Sequence, residues 1–434
     1  MSSSNSQIIP PSSTEPRKDE RSTSSPQVLP NGGLRAWATV LGAFLVQVCN
    51  FGYTSSFGVY QDFYVQEYIT NASPSAISWI GSINAFLLIS GGVVAGRLYD
   101  RGYFYPLIWG GSFLTVFSLF MLSLAKPDHY YQVLLSQGLG AGIGGGLTYV
   151  PSVAVTSHYF STKRALAMTV IASGSSIGAI IHPIMLNNTI SKLGFNNAVR
   201  ASAGLVAGLL LIACGLMRTH MPVQQRSSSV SLKAIASDWA YIAATLGLMM
   251  FSVGFYFPQF YLQLDASNHH LNQNFAFYSL VILNSSSAMG RILPGFFVNR
   301  LGVGNMITAA TAMCAAVIFG MIGLSNATSV VLIAIFYGFF AGSYVGLINP
   351  LMASLSNSVS EIGLRMGIAF FFSGIGGLIG TPIGGALLTE EFIWWQAALF
   401  SGIMAMMGSF FFAAMLIILL YKKKTQEHDS RYEA

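Results

Sequence analysis

One arginine stands inside an otherwise apolar stretch of the chain. Arg291 follows Gly290 in the segment 275–298, which holds no other charged residue. A guanidinium within a membrane segment is costly unless it faces a cavity or a partner. Its planar fork of donors suits bidentate capture of a carboxylate. We therefore predict that Arg291 anchors an anionic substrate. The alternative is a structural arginine that hydrogen-bonds backbone carbonyls.

Uncharged polar and aromatic residues in the apolar segments are the next candidates for contact with a substrate. They could instead hydrogen-bond neighbouring helices, at well under about 2 kcal/mol each. His182 stands apart, since its imidazole could also titrate, although the kink expected at Pro183 does not need it. The predicted substrate-binding set, beyond Arg291, is Asn50, Tyr53, Asn84, Tyr149, His182, Tyr256, Gln259, Asn284, Tyr344 and Asn349.

Acidic residues are missing from the middle of the apolar segments. All 15 Asp and Glu fall in predicted tails, loops or helix ends. A cavity with one fixed positive charge and no fixed negative charge favours an anion. The same pattern argues against a proton relay through Asp or Glu, and it leaves facilitated diffusion, exchange, or protonation of the substrate itself. No catalytic set and no metal-ligand spacing is present, so we predict neither an enzyme nor a metal or cofactor.

The composition shows what kind of scaffold must hold these residues. Of 434 residues, 53% are apolar and 8% are charged, whereas soluble domains carry about 25% charged residues. A soluble enzyme and a nucleic-acid-binding protein are therefore excluded. A membrane span needs about 20 mostly apolar residues. Twelve such helices are predicted, at about 36–59, 76–98, 104–125, 131–154, 164–187, 198–217, 239–261, 275–298, 304–324, 329–353, 365–388 and 393–420.

The basic residues predict the orientation of these helices. Most of the 21 Lys and Arg fall in the two tails, the central linker and every second loop, which the positive-inside rule assigns to the cytosol. We predict a multi-pass protein of the plasma membrane, with the vacuolar membrane as alternative, and with both termini cytosolic. The outer loops hold candidate glycosylation sites at Asn71, Asn187 and Asn326. The predicted parts are a disordered tail 1–30, a first half 31–217, a linker 218–237, a second half 238–421 and a tail 422–434.

The two halves resemble each other at an offset of about 200 residues. Two six-helix repeats with substrate bound between them are typical of secondary transporters. We therefore predict an all-α membrane protein of twelve transmembrane helices in two pseudo-symmetric halves. The matching residues are Gly138, Ala141, Gly142 and Arg164 in the first half and Gly338, Ala341, Gly342 and Arg365 in the second.

Short motifs carry a resemblance to a known family. The turn Gly96-x-Leu98-x-Asp100-Arg101-Gly102, the loop 159–167 and the pair Gly290-Arg291 resemble the major facilitator superfamily, especially the fungal members of its monocarboxylate porter family. The resemblance implies alternating access around a cavity lined mainly by helices 1, 4, 7 and 10. It also implies a cytosolic gate, which we assign to Asp100, Arg101 and Arg300. Animal members carry a Lys and an Asp where Ser55 and Ser287 stand here.

Together these observations predict a secondary transporter of a small organic anion, and we expect a monocarboxylate-like substrate. Two alternatives are an exporter of a secondary metabolite and a carrier of a riboflavin-like vitamin. A transporter-like nutrient sensor is a remote alternative, because the linker and the C-terminal tail are short for signalling. The expected partners are an anionic small molecule and the lipid bilayer, without nucleic acid, and we expect a monomer.

Overall fold

The computed structural model describes residues 32–219, 235–268, 273–324, 326–356, 358–388 and 394–432. The predicted tail 1–30 and most of the predicted linker 218–237 lie outside these ranges. Within them the chain forms twelve long helices. They are α1 (Leu34–Tyr68), α2 (Pro74–Ser90 and Gly92–Asp100), α3 (Phe104–Leu122), α4 (130–154), α5 (Arg164–Leu193), α6 (Phe195–Leu216), α7 (Trp239–Asn268), α8 (Gln273–Leu301), α9 (Val303–Gly320), α10 (Ala327–Ser354), α11 (Ile362–Leu388) and α12 (Trp394–Tyr432).

The first helix continues beyond its predicted end near residue 59. Tyr60, Tyr64 and Tyr68 follow at every fourth position and are all buried, which is the spacing that places side chains on one face of a helix. The helix includes two π-helical turns, at Val48–Gly52 and Tyr64–Tyr68. The added turns lengthen the wall that α1 presents to the interior of the protein.

Ten helices in the described ranges are long and apolar enough to cross a membrane. The two remaining helices, α4 and α8, run beside them. A π-helical stretch, Leu134–Gly140, interrupts α4, and α8 contains Arg291 and the polar run 284–287. These polar and glycine residues lower the hydropathy of both helices.

The glycines that repeat between the two halves of the sequence make equivalent helix–helix contacts in each half. A Cβ at Gly142 of α4 would lie 3.1 Å from the carbonyl oxygen of Asn84 on α2. A Cβ at Gly342 of α10 would lie 2.8 Å from the Cα of Ser287 on α8. Each glycine therefore allows the same close approach of two helices, which small residues favour in membrane proteins. The two six-helix halves are pseudo-symmetric, as predicted.

The halves touch mainly through α2 with α11 and α5 with α8, and also through α5 with α10 and α4 with α11. In the first pair Gly92 and Gly96 of α2 pack directly on the backbone at Gly367 and Gly363 of α11. This close contact lies at the end of the bundle that carries Asp100. Towards the opposite end the helices separate, and a cavity opens there.

Candidate functional site

The cavity has a volume of about 560 Å³ and lies between α1, α2, α7 and α11. Most of its wall is carbon and bare glycine backbone. Among the polar groups, the Gln61 Nε2 atom donates a hydrogen bond to Ser78 Oγ at 3.0 Å, and Asp62 is exposed. The lining residues are Thr54, Phe57, Gly58, Gln61, Asp62, Val65, Ser78, Gly81, Ser82, Ala85, Phe86, Ile89, Tyr256, Gly374, Gly377 and Leu378.

Arg291 lies on α8 and reaches across to the other half of the protein. Its Nη1 atom donates to the carbonyl oxygen of Ala172, at 2.7 Å, and to Ser175 Oγ, both on α5. Its Nε atom is buried and has no hydrogen-bond partner among the described residues. The guanidinium therefore links the two halves with part of its donor set, and Arg291 itself is not among the residues that line the cavity.

Three of the other predicted residues cluster near Arg291. Tyr149 of α4 and Tyr256 of α7 are close enough to interact electrostatically with its charge. The side chain of Asn349, on α10, lies near Tyr149, and its Oδ1 atom is buried without a partner in the described ranges. Tyr149 also stacks on Phe370 of α11, with ring centroids 5.3 Å apart. Side chains of α4, α5 and α7, from both halves, thus lie near the guanidinium.

The side chains of Asn50 and Asn84 form hydrogen bonds inside the first half. The Asn50 Nδ2 atom donates to Thr148 Oγ1 at 2.8 Å, and the Asn84 Nδ2 atom donates to the carbonyl oxygen of Gln137 at 2.7 Å. Asn84 Oδ1 also accepts a hydrogen bond from Thr54, one of the cavity residues, at 2.7 Å. Both asparagines join α4 to a neighbouring helix, and their predicted contact with substrate stays a prediction.

Tyr53 and His182 are buried together behind the cavity wall. The Tyr53 hydroxyl donates to the Tyr60 hydroxyl at 2.8 Å, and the rings of Tyr53 and His182 meet edge to face at 5.7 Å. His182 has no exposed surface. This packing gives His182 a place in the core of the first half, and its role with substrate stays a prediction.

The remaining predicted residues belong to the second half. The Tyr344 ring packs against Phe251 at 4.2 Å, and its hydroxyl is buried without a partner among the described residues. The Asn284 Nδ2 atom donates to the carbonyl oxygen of Leu280 at 3.0 Å, within α8. Gln259 is half-buried on α7. None of these three lines the cavity described above, and their roles also stay predictions.

At the closed end of the bundle Asp100 joins the two halves. Its Oδ1 atom accepts the backbone N–H of Gly363 at 3.1 Å, and its Oδ2 atom accepts that of Leu364 at 2.7 Å. These donors belong to the first turn of α11, where free N–H groups and the helix dipole favour an anion. Arg101 and Arg300, the other predicted gate residues, are exposed at the same end.

Ser287, where the resemblance to the monocarboxylate porters leads us to expect an Asp, also makes a bond between the halves. Its Oγ atom accepts a hydrogen bond from Ser176 Oγ on α5 at 3.2 Å. Ser55, at the position of the helix 1 Lys, donates to the carbonyl oxygen of Phe51 one turn earlier at 2.9 Å. Both positions thus carry neutral hydroxyls, and Ser287 lies one turn from Arg291.

A buried arginine that we did not predict as functional holds the second half together. Arg365 is 1% exposed and forms salt bridges with Asp238, at 2.9 Å, and with Glu361, at 3.3 Å. Lys422 of α12 also pairs with Asp238 at 3.1 Å. Partial burial acts to raise the pKa of Asp238, but the hydrogen bonds and charges of Arg365 and Lys422 outweigh it and hold this pKa below its usual range. The signal in the sequence was an acidic residue directly before helix 7.

The three candidate glycosylation sites differ in their surroundings. The Asn71 Nδ2 atom donates to the carbonyl oxygen of Asp128 at 2.9 Å. Asn326 caps α10, with Oδ1 accepting the N–H of Ser329 at 2.9 Å. Asn187 is exposed but lies within α5. Modification of these residues stays a prediction.

Known proteins resemble this chain over most of its length. The family model of the major facilitator superfamily matches residues 39–360. The aspyridones efflux protein apdF of Emericella nidulans is 36% identical over 400 residues, covering 91% of this chain and 81% of that protein. The fujikurins efflux protein of Gibberella fujikuroi is 36% identical over 391 residues, covering 87% and 82%. The agnestins efflux protein AgnL12 of Paecilomyces divaricatus is 33% identical over 403 residues, covering 93% and 92%.

Solved structures agree on the fold. The human organic anion transporter MFSD10 (TETRAN) superposes with a TM-score of 0.67, and the transporter FucP in the outward conformation with 0.68. Each is 16% identical and covers 88% of this chain and 98% of its own. The superfamily part of the predicted resemblance is confirmed, whereas the monocarboxylate branch stays a prediction. This multi-pass membrane protein belongs to the major facilitator superfamily of transporters.

Proposed function

We propose that this protein exports an organic metabolite that bears an acidic group, by alternating access between its two halves. Three relatives are named for the efflux of aspyridones, fujikurins and agnestins, which supports the exporter alternative over a monocarboxylate-like substrate. The chain and these relatives align over most of both lengths, so the likeness includes both halves of the transport unit.

The size and lining of the cavity carry the proposal. Its volume of about 560 Å³ lies within the range of about 300–1,000 Å³ that is usual for sites of drug-sized ligands. A lactate-sized acid would leave most of that volume empty and most of the apolar wall uncovered. A larger, partly apolar molecule would cover the wall and gain hydrophobic stabilisation from it.

Arg291 supplies the charge that would hold the acidic group of the cargo. Its buried Nε atom lacks a partner in the described ranges, and Tyr149, Tyr256 and Asn349 add hydrogen-bonding groups nearby. A guanidinium binds a carboxylate or a similar acidic oxygen through charge-assisted hydrogen bonds. The same geometry suits a small monocarboxylate, which is therefore the second candidate substrate.

Transport requires the closed end to open. The Asp100 contact with α11 closes one end of the bundle, and the cavity lies towards the other end. With the closed end cytosolic, as the basic residues indicate, this conformation faces outwards, and loading from the cytosol requires release of Asp100. We place the protein in the plasma membrane of a fungal cell, as a monomer with cytosolic termini.

Fluorescein is a suitable test cargo because it combines fused aromatic rings with a carboxylate. A yeast strain without its own multidrug exporters would be loaded with fluorescein diacetate, and loss of cell fluorescence would be followed with and without the transporter. We expect faster efflux with the native protein, and loss of that gain with Arg291→Ala at equal surface expression. The matched control is Arg200→Ala, because Arg200 is exposed near the start of α6 and, among the described residues, bonds only to Asn197 in its own helix.

The two candidate substrates predict different results. Efflux of labelled pyruvate that depends on Arg291, without efflux of fluorescein, would favour the monocarboxylate over the exporter proposal. Equal fluorescein efflux from cells with native protein and with Arg291→Ala would refute the anchor role.

A further inference from the structure

Part of the cavity is an apolar recess whose walls lie on other helices than Arg291. We call it the annex and define it by Phe57 and Gly58 of α1, Phe86 and Ile89 of α2, and Gly374 and Leu378 of α11. We infer that the annex is a specificity pocket for a flat, apolar ring system in the cargo, whose acidic group points towards Arg291. This inference rests on the proposed function and adds the chemical class of the cargo.

Glycines create the space in the annex. A Cβ at Gly374 would lie 3.5 Å from Phe86 Cδ2 and 3.6 Å from Ile89 Cγ2, and a Cβ at Gly58 would meet nothing within 4 Å. Both positions thus accept a larger side chain without displacing their neighbours. By contrast, a Cβ at Gly377 would lie 2.8 Å from Tyr256 Cε2. The annex is open because Gly58 and Gly374 lack side chains.

Aromatic rings from two helices give the annex its preference for a flat ligand. The Phe57 ring lies against the bare backbone of Gly81, where any Cβ would collide with it. Phe86 approaches Phe371 of α11 with ring centroids 6.3 Å apart. Aromatic rings prefer offset-stacked or edge-to-face contact with other rings, so a planar ring system would gain more here than a branched aliphatic one.

Charge fixes which end of the cargo enters the annex. Asp62 lines the cavity and is exposed, so it disfavours a carboxylate on the side formed by α1. Tyr256 lines the cavity and also interacts electrostatically with Arg291, so it connects the annex with the basic end of the site. A cargo with an acidic group at one end and fused rings at the other would place its acid towards Arg291 and its rings in the annex.

A series of aromatic acids of increasing ring number tests the inference. The full chain would be reconstituted in lipid nanodiscs, and binding of benzoate, 2-naphthoate and anthracene-2-carboxylate would be measured by calorimetry. We expect the Kd to fall by about tenfold or more from the first acid to the last, equivalent to about 1.4 kcal/mol. Gly374→Leu fills the annex and should remove this gain.

The control is Gly208→Leu, because Gly208 is exposed on α6 and a Cβ there would also meet nothing within 4 Å. This variant should keep the full gain with ring number. Gly58→Leu provides a second filled annex if Gly374→Leu fails to give a folded protein, as judged from its thermal melt.

The outcomes separate the two proposals. Binding of benzoate that requires Arg291 but does not strengthen with ring number overturns the annex and leaves the proposed export of acids standing. If both Gly374→Leu and Gly58→Leu keep the fall in Kd with ring number, the annex is likewise overturned and the proposed export of acids still stands. Failure of all three acids to bind in an Arg291-dependent way overturns the acidic anchor and the annex together.

Discussion

Replacement of Asp100 by asparagine should open the closed end of the bundle. Its carboxylate accepts N–H groups of Gly363 and Leu364 at 3.1 and 2.7 Å, so a side chain of one half holds the backbone of the other. Asparagine keeps one carbonyl acceptor and loses the negative charge. Its amide group would then face an N–H group that has no acceptor.

The energy at stake follows from these two bonds. Hydrogen bonds to charged groups contribute about 1.5–3 kcal/mol each, and neutral ones about 1 kcal/mol. An anion at a helix N-terminus gains about 0.3–1 kcal/mol more. Because Asp100→Asn loses one bond and weakens the other, we expect a net loss of at least about 2 kcal/mol from the closed state. The equilibrium between the closed and the open end should therefore shift by a factor of about 30 or more.

Spin labels at the closed end measure this shift directly. Tyr103→Cys precedes α3 in the first half and Ser354→Cys ends α10 in the second, and both positions are exposed. The native thiols Cys49, Cys214 and Cys314 are buried and unpaired, so labelling should favour the introduced pair. Double electron–electron resonance should show a longer distance that gains population with Asp100→Asn.

The matched control removes a carboxylate with a similar bond within one half. Asp128 accepts the backbone N–H of Thr70 at 2.8 Å, and both residues belong to the first half. Asp128→Asn should leave the distance distribution unchanged. A native-like distribution for Asp100→Asn, or an equal change for Asp128→Asn, would refute the view that Asp100 closes the bundle.

Three further predictions concern other contacts. Arg291→Lys keeps the charge but not the fork of donors, so fluorescein efflux should fall roughly tenfold, as for a loss of about 1.4 kcal/mol, and native rates would contradict the anchor role. Gly290→Ala places a Cβ 2.8 Å from the carbonyl carbon of Phe339 on α10 and should destabilise the fold by about 1–3 kcal/mol, seen as a lower melting temperature, whereas Gly320→Ala, with open space around it, should melt like the native protein. The lowered pKa of Asp238 stabilises the folded state above about pH 4 and loses this effect as the pH falls through the folded-state pKa. The melting temperature of Asp238→Asn should therefore fall less steeply than that of the native protein below about pH 4, and parallel curves would contradict the ion-pair role.

The helices could be predicted because membrane spans leave long apolar runs in the sequence. The end of α1 could not be placed by that rule, since Gln61 and Asp62 interrupt the apolar run within the helix. The tyrosines at every fourth position from Tyr60 to Tyr68 carried the missing signal, but a helical period is harder to see than a hydrophobic block. Local pattern thus predicts helices well and their ends less well.

The parts of the candidate site differ in how visible they are in the sequence. Arg291 is conspicuous because a charge within an apolar run is costly. Its partners are not, because the Ala172 carbonyl is a main-chain group that every residue possesses. Which carbonyl it meets depends on how α5 and α8 pack across the halves. The annex was missed for a related reason: Gly374 contributes by lacking a side chain, and polar residue types alone do not point to it.

The Asp100 contact also implies that the two halves tolerate substitutions to different degrees during evolution. On α2 the contact depends on one carboxylate, so almost any substitution there should be removed by selection. On α11 the donors are backbone amides, which survive most changes of side chain. Leu364 could drift without loss of the contact, whereas Gly363 could not, since a Cβ there would lie 2.6 Å from Asp100 Oδ1. Related transporters should therefore vary at the position of Leu364 and keep glycine at the position of Gly363.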